Sequence, residues 1–129
     1  MLDVAVGMVI NEFKHVLITL RSASSSSCPS LWEFPGGKIE VGETAEHALI
    51  RELQEEVNVS CHHAKFWLAH EDNGVRLHVF WVNHFSGQAR CLENQQALKW
   101  ASVNDLSKYA FPPSNQLLIN KMQLSDGFS

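Results

Sequence analysis

The hydrophobic pattern along the chain predicts short strands interrupted by two helical stretches. Apolar and β-branched residues crowd positions 3–10 and 15–21, which predicts two strands, the first buried and central and the second its hairpin partner. Positions 61–70 and 75–85 predict another pair, because the Asn73-Gly74 dipeptide between them is typical of a tight hairpin turn. The pattern therefore predicts a strand-rich chain with helices as connecting and terminal elements.

Two short strands and a terminal helix complete the predicted elements. The strands are expected at 31–34 and 98–101, and the prolines at 112 and 113 are ordinary at the start of a helix, here predicted over 114–122. The buried face of that helix is predicted to consist of Leu117, Leu118 and Met122. Alternation along the strand at 75–85 predicts one face made by Leu77, Val79, Trp81 and Phe85.

The longer helical stretch runs from about Thr44 to Val57 and carries a row of like charges. Its apolar stripe consists of Leu49, Leu53 and Val57. Glu52, Glu55 and Glu56 stack beside that stripe at spacings of three and four residues, where each like-charge pair destabilises a helix by about 0.2–0.5 kcal/mol. Two alanines leave space on the same side, which indicates a cation there. An all-oxygen ligand set favours Mg²⁺ or Mn²⁺.

Composition and charge narrow the class of protein. The 129 residues predict a single domain, 45% hydrophobic and 19% charged, with a formal net charge of −4 and no basic cluster. These values argue against binding a nucleic-acid polymer. The three scattered cysteines favour a reducing cytoplasm, and no apolar run approaches the ~18 residues of a membrane span. We expect a monomer.

A row of glutamates is more often a solvated helix face than a metal site, so the surrounding spacing is needed to decide. Five residues separate Gly37 from Glu43, and seven more separate Glu43 from Arg51. The whole stretch GKIEVGETAEHALIRELQEEVNV, residues 37–59, resembles the signature of the Nudix hydrolases. Asn58 stands where the family has glycine, and we expect the helix-ending turn to survive because asparagine tolerates a left-handed conformation.

The likeness extends nearly end to end and is strongest to the MutT-like branch of that family. It is carried by AVGMVI, WEFPGGKIEVGET, RELQEEV and FPPSNQLLINKM. The resemblance implies an α/β/α sandwich with a mixed β-sheet, a catalytic loop–helix–loop and a C-terminal helix. It also implies Mg²⁺-dependent hydrolysis of a nucleoside triphosphate to the monophosphate and pyrophosphate, with 8-oxo-dGTP as the first candidate substrate. Such a reaction sanitises the nucleotide pool and so serves DNA replication and repair.

The resemblance also assigns roles to particular residues. The metal set would be the carbonyl of Gly36 with Glu52, Glu55 and Glu56. The base that takes a proton from water would be Glu52, Glu55 or the downstream Glu93, with Arg51 orienting the glutamates. A gapless alignment puts Asn94, beside Glu93, at the family's downstream glutamate.

Substrate contacts are expected from the glycine turn, the strand ends and the last helix. The expected set is Arg21, Glu33, Phe34, Pro35, Gly36, Gly37, Lys38, Phe80 and Asn115. Several have plain alternatives: Arg21 as a surface charge, Lys38 as an exposed side chain and Asn115 as a helix cap. The Ser-rich segment 22–30 either closes over a ligand or merely connects strands.

Two further functions stay open at this point. Hydrolysis of CTP, dCTP or 5-methyl-dCTP is the nearest competitor, because such enzymes are relatives of the MutT-like branch. A Nudix-like module that binds a nucleotide without cleaving it belongs to another class of protein, and the intact glutamate and arginine set argues against it.

Overall fold

Two β-sheets and two α-helices make up the part of the chain that the computed structural model describes, residues 1–124. In chain order the elements are β1 (Leu2–Val9), β2 (His15–Leu20), β3 (Trp32–Glu33), β4 (Gly36–Lys38), α1 (Ala45–Val57), β5 (Ser60–Asp72), β6 (Val75–Ser86), β7 (Ala97–Ser102), a 3₁₀ helix (Val103–Lys108) and α2 (Pro113–Gln123). One sheet has the strand order β4-β1-β6-β5 and the other β3-β2-β7. The first is mixed, since β1 runs parallel to β6 and antiparallel to β4. The predicted single domain extends to residue 129, and its last five residues lie outside this description.

The helices cover opposite faces of the strands. Beneath α1 lies a core that includes Ala5, Leu17, Leu49, Leu53, Val57, Phe80 and Val82. Beneath α2 lies a second core that includes Val6, Ile18, Phe34, Val79, Leu118, Ile119 and Met122. Both sheets contribute to both cores, which confirms the predicted α/β/α sandwich with a mixed sheet. Within the described residues no helix has the length and apolarity to span a bilayer.

The predicted hairpin between the first two strands is wrong. β1 is central, as predicted, but both of its hydrogen-bonding edges are taken, one by β4 and the other by β6. β2 therefore crosses to the second sheet, where it pairs with β3 and β7. A single bridge, between Ile10 and Val16, remains of the expected pairing.

Phe85 does not share a face with Leu77, Val79 and Trp81 as alternation predicts. It packs against the core beneath α1, whereas the other three pack in or against the core beneath α2. The cause is an irregular register: between Trp81 and His84, β6 advances three residues while β5 advances two, from Lys65 to His63. One extra residue reverses the alternation of side chains beyond it.

The buried face of α2 is also shifted from the prediction. Leu118, Ile119 and Met122 are buried, while Leu117 is 37% exposed. At ~100° per residue, the three buried side chains cluster on one side and Leu117 points away from it. Ile119 therefore takes the place that the sequence pattern gave to Leu117.

Local chemistry sets both ends of α1, as predicted. At the N-terminus the Thr44 hydroxyl accepts a hydrogen bond from the His47 amide at 3.1 Å. At the C-terminus Asn58 adopts the left-handed conformation, with φ 63° and ψ 28°, and its N–H donates to the Leu53 carbonyl. The Asn58 side chain also donates to the Gln88 carbonyl at 3.0 Å, which ties the loop between β6 and β7 to the end of the helix.

Substitution of Asn58 tests this helix end. Asn58→Ala and Asn58→Gly both remove the bond to Gln88, but only alanine strains the left-handed backbone, by roughly 1–2 kcal/mol. We expect urea denaturation to show the alanine variant less stable than the glycine variant by about 1 kcal/mol. Equal stability of the two variants would contradict a backbone role for Asn58.

Candidate active site

A cleft of about 250 Å³ opens where the turn between β3 and β4 meets the end of α1. It is lined by Arg21, Ser22, Ser25, Glu33, Gly36, Glu52, Glu56, Glu93 and Gln95. Four of these side chains are carboxylates and one is a guanidinium, so the cleft is strongly acidic. An acidic cleft of this kind is stable only if protons or cations compensate the charge.

Three carboxylates converge at one point of the site. Oxygens of Glu52, Glu55 and Glu93 lie within 4.8 Å of one another. The expected third partner, Glu56, instead accepts a hydrogen bond from the Gly36 amide at 3.2 Å. Glu56 and Gly36 nevertheless line the same cleft. The structure therefore brings Glu93, and not its neighbour Asn94, to the helix glutamates.

Arg51 holds the acidic residues of α1 in place. Its Nε and Nη2 donate to both carboxylate oxygens of Glu43, at 2.8 and 2.9 Å. Its Nη1 donates to Glu52 at 2.8 Å and, more weakly, to Glu55 at 3.3 Å. The hydrogen bonds from Arg51 lower the pKa of Glu43 to about 2. Glu43 is thus a fixed anion that orients Arg51, which in turn orients Glu52.

The two glycines, which the structure places at the start of β4, let the Glu52 carboxylate lie directly against the backbone. A Cβ on Gly37 would overlap the Glu52 carboxylate, and a Cβ on Gly36 would overlap the carbonyl of Ala5. Pro35 is buried, and its carbonyl accepts from the Gly7 amide at 2.9 Å. The Lys38 residue is exposed and bonds through its backbone carbonyl to Arg51. The two glycines are required here by close approach of other groups.

Burial raises the pKa of the carboxyl groups deepest in the cleft. Glu56 is only 7% exposed, and desolvation, followed by repulsion from Glu33, raises its pKa to about 8. Desolvation also raises the pKa of Glu33 and of Glu52, although Arg21 and Arg51 act in the opposite direction. These carboxylates lack enough positive charge of their own, and the all-oxygen donor set fits a hard divalent cation.

Arg21 fastens the Ser-rich segment beside the cleft. Its Nε pairs with Glu33 at 2.5 Å, and its Nη1 donates to the carbonyl and hydroxyl of Ser27, both at 2.6 Å. Gln96 donates to the Arg21 carbonyl and to Ser30. The segment therefore forms one wall of the cleft and is more than a connector.

Three expected substrate residues lie elsewhere in the fold. Phe34 stacks on Phe111 in the core beneath α2, with ring centroids 5.1 Å apart. Asn115 lies in the first turn of α2, where its amide makes one long hydrogen bond, 3.4 Å, to Ser114. Phe80 is buried beneath α1 and does not line the carboxylate cleft.

The sequence pattern left two contributors to the site unassigned. Glu43 has a signal, its fixed spacing from Arg51, but its pairing with that arginine appears only in three dimensions. Gln95 has no signal at all, because it lies in a polar loop with other amides.

Comparison with known proteins extends these observations. The sequence matches the NUDIX domain family over residues 1–121. An 8-oxo-dGTP diphosphatase of Escherichia coli (strain K12) is 39% identical over 126 residues, 95% of this chain and 96% of the relative. A CTP pyrophosphohydrolase of the same organism is 33% identical, over 85% of this chain and 83% of the relative. A solved MutT structure, from work on Aliivibrio salmonicida and Vibrio cholerae, superposes with a TM-score of 0.85 at 30% identity, covering 93% of this chain and 94% of that one.

Glu56→Gln tests the charge balance of the metal-free cleft. Since burial raises the pKa of Glu56 from 4.5 to about 8, the folded state holds a proton that the unfolded state has lost, and stability falls as pH rises between these values. The neutral amide removes this loss, which is on the order of a few kcal/mol. With a metal chelator present, urea denaturation should show that the variant is more stable than wild type at pH 9. The difference in free energy of unfolding should be smaller at pH 5.

Glu46→Gln is the matched control, because Glu46 is an exposed glutamate in the first turn of the same helix. Parallel pH profiles for wild type and Glu56→Gln would contradict the burial of a titrating carboxyl at this position.

Proposed function

The chain belongs to the Nudix hydrolase family, and on that premise we propose that it hydrolyses 8-oxo-dGTP to the monophosphate and pyrophosphate. The observation that carries the proposal is the convergence of Glu52, Glu55 and Glu93 within 4.8 Å at the edge of an acidic cleft. The similarity to the E. coli 8-oxo-dGTP diphosphatase favours this substrate. The reaction removes an oxidised precursor from the nucleotide pool and so protects DNA replication.

The three converging carboxylates fit Mg²⁺, or Mn²⁺ in its place, and Glu56 and Gly36 line the cleft together with Glu52 and Glu93. When bound, such an ion offsets phosphate charge and makes a water molecule more acidic. Arg51 holds Glu52 and Glu55 in a fixed orientation, so the site is arranged before substrate arrives. Arg21 lines the same cleft and contributes a positive charge that would attract the polyphosphate.

A carboxylate of this group serves as the general base towards water. Arg51 occupies one oxygen of Glu52 and one of Glu55. Among the ion pairs of residues 1–124 none involves Glu93, so a Glu93 oxygen that does not hold the cation is available to accept a proton. Glu93 is therefore our preferred base, with Glu52 and Glu55 as the alternatives.

The nucleobase is recognised at the start of α2. The Asn115 amide offers both donors and an acceptor, and its single long bond to Ser114 leaves it available to a purine edge. Phe34 and Phe111 form a stacked aromatic pair in the core beside this helix. Phe34 follows β3 directly in sequence and lies two residues before Gly36 of the cleft. A base and its phosphates would therefore contact opposite ends of one short segment.

A second candidate is pyrophosphohydrolysis of CTP or a related cytidine nucleotide. The similarity to the E. coli CTP pyrophosphohydrolase, at 33% identity, favours it.

We propose that the protein acts as a monomeric, single-domain enzyme in the cytoplasm, where its unpaired cysteines Cys28, Cys61 and Cys91 remain reduced.

Turnover of a triphosphate panel tests the function. With Mg²⁺, purified protein should release pyrophosphate from 8-oxo-dGTP with a higher kcat/KM than from dGTP, CTP, dCTP or 5-methyl-dCTP. Glu56→Gln should lower turnover about 100-fold without loss of folded structure, and Glu46→Gln should keep the wild-type rate. A preference for CTP would select the second candidate. Ligand-induced stabilisation without pyrophosphate release would identify a binding module instead.

Asn115→Ala tests recognition of the base. Loss of the amide should reduce kcat/KM for 8-oxo-dGTP about 10–100-fold and spare cytidine nucleotides, because the purine edge loses its partner. Asn120→Ala, at an exposed asparagine of the same helix, is the control. An equal loss for every nucleotide would show that Asn115 acts only at the helix start.

A further inference from the structure

We propose that Gln95 is a positioning residue, whose side-chain amide fastens the segment around Glu93 to the end of α1 and so holds Glu93 beside Glu52 and Glu55. The inference rests on the proposed function only in assuming that Glu93 belongs to the functional carboxylate group of this cleft. It concerns a residue for which the sequence carries no signal.

Two hydrogen bonds from one side chain make the attachment. The Gln95 Oε1 accepts from the backbone amide of Glu93 at 2.9 Å, and its Nε2 donates to the carbonyl of Glu56 at 3.0 Å. The Leu92 amide donates to the same Glu56 carbonyl at 3.0 Å. Residues on both sides of Glu93 are thus bonded to one point on α1.

The anchoring point is available because of where it lies in the helix. The last four carbonyls of an α-helix have no partner within the helix, and the carbonyl of Glu56 is among them. The loop supplies the missing donors. Asn94, between Glu93 and Gln95, adopts a positive φ of 61°, and the Gln95 side chain bonds back to the Glu93 amide. The same contacts therefore supply hydrogen-bond donors to the free carbonyl at the end of α1 and place the Glu93 carboxylate.

An anchor is needed because electrostatics opposes the arrangement. Glu93 is exposed and lies outside the helices and strands, yet its carboxylate lies within 4.8 Å of two others. Like charges at this distance repel one another even in water, and more strongly near the low-dielectric protein. Without the Gln95 bonds, the loop would relax so that Glu93 moves away whenever no cation is bound.

A second attachment of the same loop provides the matched control. The Asn58 side chain donates to the Gln88 carbonyl, and the Arg90 amide donates to the Val57 carbonyl. These bonds also join the loop to the end of α1, but they lie three or more residues before Glu93. Asn58→Gly removes one of them while keeping the left-handed turn.

The test is a double-mutant cycle in which the measured quantity is the dissociation constant for Mn²⁺. Electron paramagnetic resonance of free Mn²⁺ gives the dissociation constant for wild type, Gln95→Ala, Glu93→Gln and the double variant. Gln95→Met is included because it keeps the length of the side chain and loses both hydrogen bonds. We expect about 10-fold weaker Mn²⁺ binding for either Gln95 variant and for Glu93→Gln. In the double variant we expect little further loss, and Asn58→Gly should bind as wild type does.

The outcomes separate positioning from general stabilisation. Wild-type affinity in the Gln95 variants, or an undiminished 10-fold loss when Gln95→Ala is added to Glu93→Gln, would overturn the proposal. An equal loss in Asn58→Gly would also overturn it, since any loosening of the loop would then suffice. If wild type bound Mn²⁺ but released no pyrophosphate from any triphosphate, the proposed function would fail while the cycle still decided the role of Gln95.

Discussion

Repulsion among carboxylates at one end of α1 is the constraint on which the site depends. Glu52, Glu55 and Glu93 converge within 4.8 Å, and Glu56 is buried close by. Arg51 relieves part of this repulsion but is itself held by Glu43, so it adds no net positive charge to the group. The folded chain therefore carries an uncompensated negative charge at this point. That charge lowers the stability of the folded chain, and it also favours the binding of divalent cations.

The fold can hold these charges together because the groups that present them are fixed independently. α1 is capped at Thr44, ends at Asn58 and is packed through Leu49 and Leu53 onto the strands. These contacts orient the helix without involving the carboxylates. β4 approaches Glu52 closely because Gly37 has no side chain. Burial of apolar surface thus provides the free energy that offsets the electrostatic cost of the site.

Sequence alone predicts the features that arise from neighbouring residues. The limits of α1, both of its caps and the hairpin between β5 and β6 depend on a few adjacent side chains, and all agree with the structure. The partner of β2 could not be predicted, because it depends on β4 and β6 occupying both edges of β1. Glu93 and Asn94 could not be told apart for a similar reason: hydrogen bonds to Glu56 from residues on either side set the position of that loop.

The segment 32–38 connects the two halves of the site. Its first part, β3, belongs to the sheet of β2, and its last part, β4, belongs to the sheet of β1. Phe34, between the two strands, points into the core beneath α2, while Gly37 of β4 lies against Glu52 of α1. A nucleotide that reached from Asn115 to the carboxylates would follow this segment. If base recognition lies at α2 and phosphate chemistry at α1, as we propose, each would depend on a different helix, and this segment would join the two.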